Sequence, residues 1–317
     1  MSPHSYTKLA SRLVAVALFF SFTCASFAAA APNVLFIAVD DLRPELGCYG
    51  ATAVKSPNLD RLAHEGRKFD RAYCQYAICG PSRASLLTGL RPNTLKIADI
   101  DTFFRNTVPD CVTLPQYFKQ NGYTTLYVGK VFHSRQEDDK NSWDRRIRLP
   151  GKGGNYSSEY KLPESIVEVE RRRDEARAQY GADSELQGMN GGPAWEAADV
   201  PDSEYLDGRI ADGAIAALGE LKDGKPFFLG VGFHKPHLPF VAPKKYFDLY
   251  DPAKLPLTEV RNPPKDAPTV ALHSSFELRT RTLVPVNGPI DDATSRQLLR
   301  AYYACTSFVD AQIGRVL

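Results

Sequence analysis

The stretch Val34-Leu35-Phe36-Ile37-Ala38-Val39-Asp40-Asp41 decides the fold class. An apolar run with no polar interruption suits a strand covered on both faces, as in a parallel sheet with helices above and below it. Two later runs, Thr124-Thr125-Leu126-Tyr127-Val128 and Phe227-Phe228-Leu229-Gly230-Val231-Gly232-Phe233, read as further core strands. Between them lie helical signals. Ser56-Pro57 opens a segment that Gly66 closes, and Thr113-Leu114-Pro115 opens another. Tyr205, Ile210, Ala211, Ala214, Ile215, Leu218 and Leu221 recur at helical spacing before Asp223-Gly224. Strands alternating with helices give an α/β class, whose ligands collect beyond the carboxyl ends of the strands. Those ends carry chemistry here. Asp40-Asp41 offers hard oxygen ligands for Ca²⁺ or Mg²⁺, although Asp is also common in plain turns. Gly129-Lys130-Val131-Phe132-His133 and His234-Lys235-Pro236-His237 bring cations and imidazoles, suited to holding an anionic ester and moving protons near neutral pH.

Outward from the first strand, Cys79-Gly80-Pro81-Ser82-Arg83-Ala84-Ser85-Leu86-Leu87-Thr88-Gly89 places a cysteine at a helix start. Pro81 fits the first helical turn, where unpaired N–H groups and the positive dipole end attract an anion. Arg83 adds a forked cation about one turn along, so an oxyanion beside Cys79 would meet backbone donors and a guanidinium together. The plain alternative is a buried cysteine before an ordinary helix.

The eleven-residue match closely resembles the signature of the type I sulfatases, whose cysteine is oxidised to formylglycine before folding. Asp40-Asp41 after the first strand, the run from Pro57 to Gln75, and Gly129-Lys130 followed by His133 also resemble that family. The wider Lys130–His133 spacing, and the block Gly232-Phe233-His234-Lys235-Pro236-His237-Leu238-Pro239-Phe240, are similar to the iduronate-2-sulfatase branch. The resemblance implies an alkaline-phosphatase-like α/β sandwich, a mostly parallel sheet with helices on both faces. It also implies catalytic roles for Cys79, Arg83, Lys130, His133 and His234, substrate contacts from Lys130, His234 and Lys235, and Ca²⁺ on Asp40, Asp41 and the modified Cys79. In that scheme the formylglycine hydrate attacks sulfur and releases a sugar alcohol, and its second hydroxyl then expels sulfate. His133 takes the proton of the hydrate and His234 serves the leaving oxygen. The implied partners are a sulfated saccharide and a formylglycine-generating maturation enzyme.

Composition fits that reading without demanding it. The chain has 317 residues, 43% of them hydrophobic and 24% charged, an ordinary globular make-up. Its net charge of +2 equals the contribution of Lys8 and Arg12 near the start, so nothing points to nucleic acid. Residues 1–30 pair those two cations with the apolar run Leu13 to Phe20 and a tract of alanines. They read as a cleaved signal peptide that would export the protein, to periplasm or medium, and no other run is long enough to span a bilayer. Residues 31–317 then form one sulfatase catalytic domain. Cys48, Cys74, Cys111 and Cys305 remain, and their spacing selects no disulfide pairing and no zinc site. From Ser134 to about Pro201 lies an insertion with glycine-rich pieces, of the kind that covers a pocket at strand ends; its charged run Glu168 to Glu175 reads as a solvated helix, with a docking surface for acidic sugar as the alternative. The helical repeat from Ser295 runs to Leu317 without a stop signal, and the family's next strand, with Asp-His-Gly or Asp-Asn-Gly, is expected beyond it. Two other readings stay open: a phosphate or phosphonate ester hydrolase of the same superfamily, and a non-catalytic protein that binds sulfated glycans. A cysteine at 79, rather than serine or threonine, favours sulfate over phosphate.

Overall fold

The computed structural model describes residues 31–133, 138–150, 159–181, 191–222 and 224–317. The proposed signal peptide, the glycines at 151–154, most of the glycine-rich piece at 188–192 and Asp223 lie outside the described residues. The principal strands are β1 (Val34–Val39), β2 (Thr124–Gly129), β3 (Arg145–Arg146), β4 (Trp195–Ala198), β5 (Phe227–Phe233) and β6 (Phe240–Pro243). The longer helices are α1 (Pro57–Glu65), α2 (Cys79–Thr88), α3 (Leu114–Gln120), α4 (Pro163–Tyr180), α5 (Leu206–Leu221) and α6 (Asp292–Val316). Four strands form a wholly parallel sheet in the order β1-β5-β2-β3, and β4 pairs with β6 in a separate parallel ribbon.

The fully covered strand is β5, at the centre of the sheet, where all seven residues are buried. Its alternation splits the core. Phe227, Leu229, Val231 and Phe233 face the layer of α5 and α6 with Ile210, Ala214, Val309 and Ile313. Phe228 faces the opposite layer with Leu87 of α2, Tyr127 and Trp143. Helices therefore cover both faces, as expected. The expectation for Val34–Val39 needs correcting in degree: β1 is an edge strand among the described residues, and each of its residues is only partly buried.

Local signals explain most element ends. Thr113 caps α3 by accepting from the Gln116 N–H while Gln116 reaches back to the Thr113 N–H, a reciprocal capping box. Helix α1 is capped differently from its sequence. Ser56 accepts from the Gly47 N–H instead, and the N–H groups of Asn58 and Leu59 go to Asp310 of α6. That carboxylate ties α1 to α6 across more than two hundred residues of sequence. Burial raises its pKa, although the donors from Leu59 and Asn58 oppose the shift. The charged run sits in α4, where Arg171 pairs with Glu168 and Glu175 in solvent and Val169 and Ala176 face inward. Residues 68–75, an extended lead into Cys79 by their sequence, form an exposed irregular segment with no strand. All five cysteines among the described residues are free thiols.

Candidate active site

Two glycines let the carboxyl ends of β2 and β5 approach closely, and β1 pairs with β5 alongside. A Cβ on Gly129 would lie 2.0 Å from the Gly232 carbonyl oxygen, and one on Gly232 would lie 2.0 Å from that of Lys130. Gly129 also has φ of 76°, a left-handed conformation that favours glycine. Directly beyond this crossing come Asp40, Lys130 and His234.

Asp40 is the electrostatic centre. Its carboxylate is 3% exposed and accepts from Arg83 Nη2 at 2.8 Å and from Lys130 Nζ at 2.5 Å. Burial by itself would raise its pKa, but the two cations outweigh burial and hold the group well below the usual carboxylate range. Both terminal nitrogens of Arg83 are engaged, because Nη1 also donates to the carbonyls of Lys130 at 2.5 Å and Val131 at 2.9 Å. Arg83 thus locks the start of α2 to the end of β2.

Cys79 is the first residue of α2, and its Sγ lies 3.3 Å from His133 Nδ1. Burial, only partly offset by Lys130, raises the thiol pKa, so Cys79 is a neutral thiol near pH 7. Burial and the nearby Lys130 charge depress His133 to about 4, which leaves its ring uncharged and able to accept a proton. His234 is also held well below its ordinary value, first by burial and then by Lys130. Its backbone is fixed from α5: Asp207 accepts from the N–H of His234 at 2.8 Å and of Lys235 at 2.7 Å.

The structure pairs Cys79 with His133 and gathers Arg83 and Lys130 on Asp40, and the charges of the second group act on Cys79, His133 and His234. It places Lys235 elsewhere. That ammonium is buried against Glu159 at 2.7 Å and donates to the Pro239 and His237 carbonyls, so it holds its own loop together instead of presenting a charge to a ligand. Asp41 adopts φ of 56° and turns its carboxylate toward His237, whose Nε2 stands 3.8 Å away and also 3.5 Å from Glu277. Burial and the neighbouring Asp40 and Glu277 charges raise the Asp41 pKa against the opposing influence of His237. A bound cation would relieve that crowding of negative charge, and two hard carboxylates are the right donor type. Among the described residues, however, no three His, Cys, Asp or Glu side chains are grouped to hold a metal, so Asp40, Asp41 and Cys79 do not by themselves make a ligand set.

Sequence reasoning missed Asp207, Glu159 and Glu277. The first was hidden inside an amphipathic pattern, and Glu277 follows a proline-rich irregular stretch where no periodicity signals position. His237 was visible in the block of histidines, but its neighbours were not.

The sulfatase family model matches residues 32–317. The chain is 37% identical to the iduronate 2-sulfatase of Mus musculus over 295 residues, covering 90% of this chain and 50% of that protein. It is also 37% identical to the iduronate 2-sulfatase of Homo sapiens over 297 residues, with the same coverage. Among solved structures, the phosphonate monoester hydrolase from Silicibacter pomeroyi superposes with a TM-score of 0.58 at 26% identity, covering 90% of this chain and 58% of that one. The chain spans about half the length of the curated relatives it matches. The parallel sheet with helices on both faces is the alkaline-phosphatase-like architecture of its structural neighbours. From residue 32 to its last residue, this chain belongs to the sulfatase family.

Proposed function

We propose that this protein, within its whole chain, hydrolyses the sulfate ester of a sulfated sugar, with a substrate like that of its iduronate 2-sulfatase relatives. The observation that carries the reading is Cys79 at the start of α2, 3.3 Å from an uncharged His133 and flanked by the Arg83–Asp40–Lys130 cluster. Oxidised by a maturation enzyme of the host, Cys79 would become formylglycine, whose hydrate offers an oxygen nucleophile in place of a thiol. Ca²⁺, to which Asp40 and Asp41 would contribute two carboxylates of a larger ligand set, would supply Lewis-acid polarisation of a sulfate oxygen. The other tasks fall to this chain's side chains. His133 accepts a proton from the group at position 79, for which its depressed pKa keeps it ready across the neutral range. Lys130 and Arg83, held in place by Asp40, would set two positive charges beside the sulfate. His234, held through its backbone by Asp207, assists the departing sugar oxygen. Lys235 contributes indirectly, by fixing the loop that carries His234. Export through a cleaved signal peptide would place the enzyme where sulfated polysaccharides are found.

The structural likeness to a phosphonate monoester hydrolase supports a second reading, phosphonate or phosphate ester cleavage by the same frame. One experiment separates the two. Purified whole protein, co-expressed with a maturation enzyme, is assayed against a disaccharide bearing a 2-O-sulfated uronic acid and against a phosphonate monoester, the phenyl ester of methylphosphonic acid. Mass spectrometry of the tryptic peptide bearing position 79 accompanies the assay. Sulfate release that vanishes in Cys79→Ala, together with an aldehyde-bearing peptide, is the expected result. Phosphonate turnover without sulfate release would overturn the proposal.

A further inference from the structure

A second feature lies outside the Cys79 cluster. Between β3, the residues that follow it, and α5 runs a groove of about 630 Å³ whose walls carry Arg145, Arg146, Arg148 and Arg209. Two carboxylates share it, and both are neutralised locally: Asp212 by Arg315 at 2.5 Å and Glu220 by Arg145 at 2.5 Å. The remaining guanidinium groups have donors to spare. Arg148 makes no hydrogen bond or ion pair among the described residues, and Arg146 lies over the Tyr127 ring, 5.8 Å from its centroid. Arg209 donates Nη1 to the Glu204 carbonyl at 2.9 Å, while its Nε is buried without a hydrogen-bond partner. Beneath these cations the floor is apolar, formed in part by Ile147 and Leu149 against Gly213 of α5. Forked cations over an apolar floor suit a ring with a flat face and anionic substituents.

The orientation of α5 gives the groove its meaning. Asp207, near the amino end of α5, bonds the backbone of His234 at the carboxyl edge of the sheet, whereas Glu220 pairs with Arg145, which lies opposite Leu126 in mid-sheet. Arg209 is therefore at the same edge as the Cys79 cluster, and the groove descends from there for about 16 Å, the length of helix from residue 209 to 220. None of the groove residues belongs to the cluster.

We propose that this groove is an accessory subsite for a second sulfated sugar of the same polymer chain, so that the protein engages an oligosaccharide and not a lone monosaccharide. The inference rests on the sulfatase reading for the identity of the chain, but its test does not depend on turnover. A heparin-derived octasaccharide is titrated calorimetrically into the whole wild-type protein and into the same protein carrying Arg146→Ser/Arg148→Ser or the charge control Lys254→Ser/Lys265→Ser, at about 0.05 M and about 0.2 M salt. Thermal melts establish that each variant is folded, as the exposure of all four residues allows. The groove variant is expected to weaken binding by about 5- to 10-fold at the lower salt and to reduce its salt dependence, with the control within about 2-fold of wild type. Equal binding by wild type and groove variant overturns the proposal. So does an equal loss in the control, which would mean that charge anywhere on the surface suffices, and so does equally tight capture of inorganic polyphosphate. If octasaccharide binding falls only in the groove variant while the whole protein cleaves no sulfate ester, the subsite stands and the hydrolase reading falls.

Discussion

Asp40 shows how one buried carboxylate organises a site. It gathers Arg83 and Lys130, and neither cation could be buried there without it. Asp40→Asn leaves two positive charges facing a neutral amide, which should cost about 3 to 5 kcal/mol, read as a lowered urea midpoint at pH 7. The pH dependence follows from the sign of the shift. The folded pKa lies below the unfolded one, so the Asp40 contribution is complete above about pH 4 and is lost as pH falls toward the folded value. Wild type should therefore lose stability below about pH 4 more steeply than Asp40→Asn, and equal slopes would remove Asp40 from this role. Arg83→Lys tests the fork. A single ammonium cannot serve Asp40 and two carbonyls together, and about 2 to 4 kcal/mol should be lost in the same urea assay. Much of this was legible from residue types at strand ends, since Asp40, Lys130 and His133 each follow an apolar run. Lys235 was not. Its place in the chain resembles that of Lys130, and only the fold reveals Glu159 as its partner.

At the level of elements, the site depends on strand ends that converge and on a helix that holds a loop. Gly232→Ala would set a Cβ 2.0 Å from the Lys130 carbonyl, within a pair of strands that cannot part without moving Asp40 and Lys130. A loss of about 3 kcal/mol or more is expected by thermal denaturation, and a soluble variant of wild-type stability would show that the crossing is more open than described. Asp207 on α5 carries an opposite pH signature to Asp40. Burial raises its folded pKa to about 7, despite donors from His234 and Lys235 that oppose the shift. Between about pH 4 and 7 the folded protein holds a proton that the unfolded chain has released, so stability falls as pH rises through that window and levels above it. Asp207→Asn should abolish that slope while costing about 1 to 3 kcal/mol at pH 5, because an amide nitrogen would face one of the two N–H donors. Urea melts at pH 5 and pH 7 measure both effects. The strands and helices themselves were readable because apolar runs, capping residues and helical periodicity agree in α3, β5 and α5. Asp207 escaped notice because a polar residue in the first turn of an amphipathic helix usually faces solvent.

At the scale of the molecule, the sheet is covered unequally. Helices shield both faces of β5, and strands pair with it on both sides, whereas β1 is paired only to β5 among the described residues and its apolar residues are half-covered. The sequence of β1 is as apolar as that of β5, so composition gives no warning of the difference. It arises from position in the strand order, which depends on long-range pairing that no local pattern encodes. A strand whose outer edge stays unpaired opens before the centre does. Amide hydrogen exchange, followed by mass spectrometry of peptides covering Val34–Val39 and Phe227–Phe233, should find the β5 amides slower by on the order of 100-fold. Protection of β1 equal to that of β5 would mean that its outer edge is covered in solution, by a further strand or by a second copy. Measuring the same peptides across a range of protein concentration separates those cases, because pairing with a second copy strengthens with concentration and pairing within one chain does not.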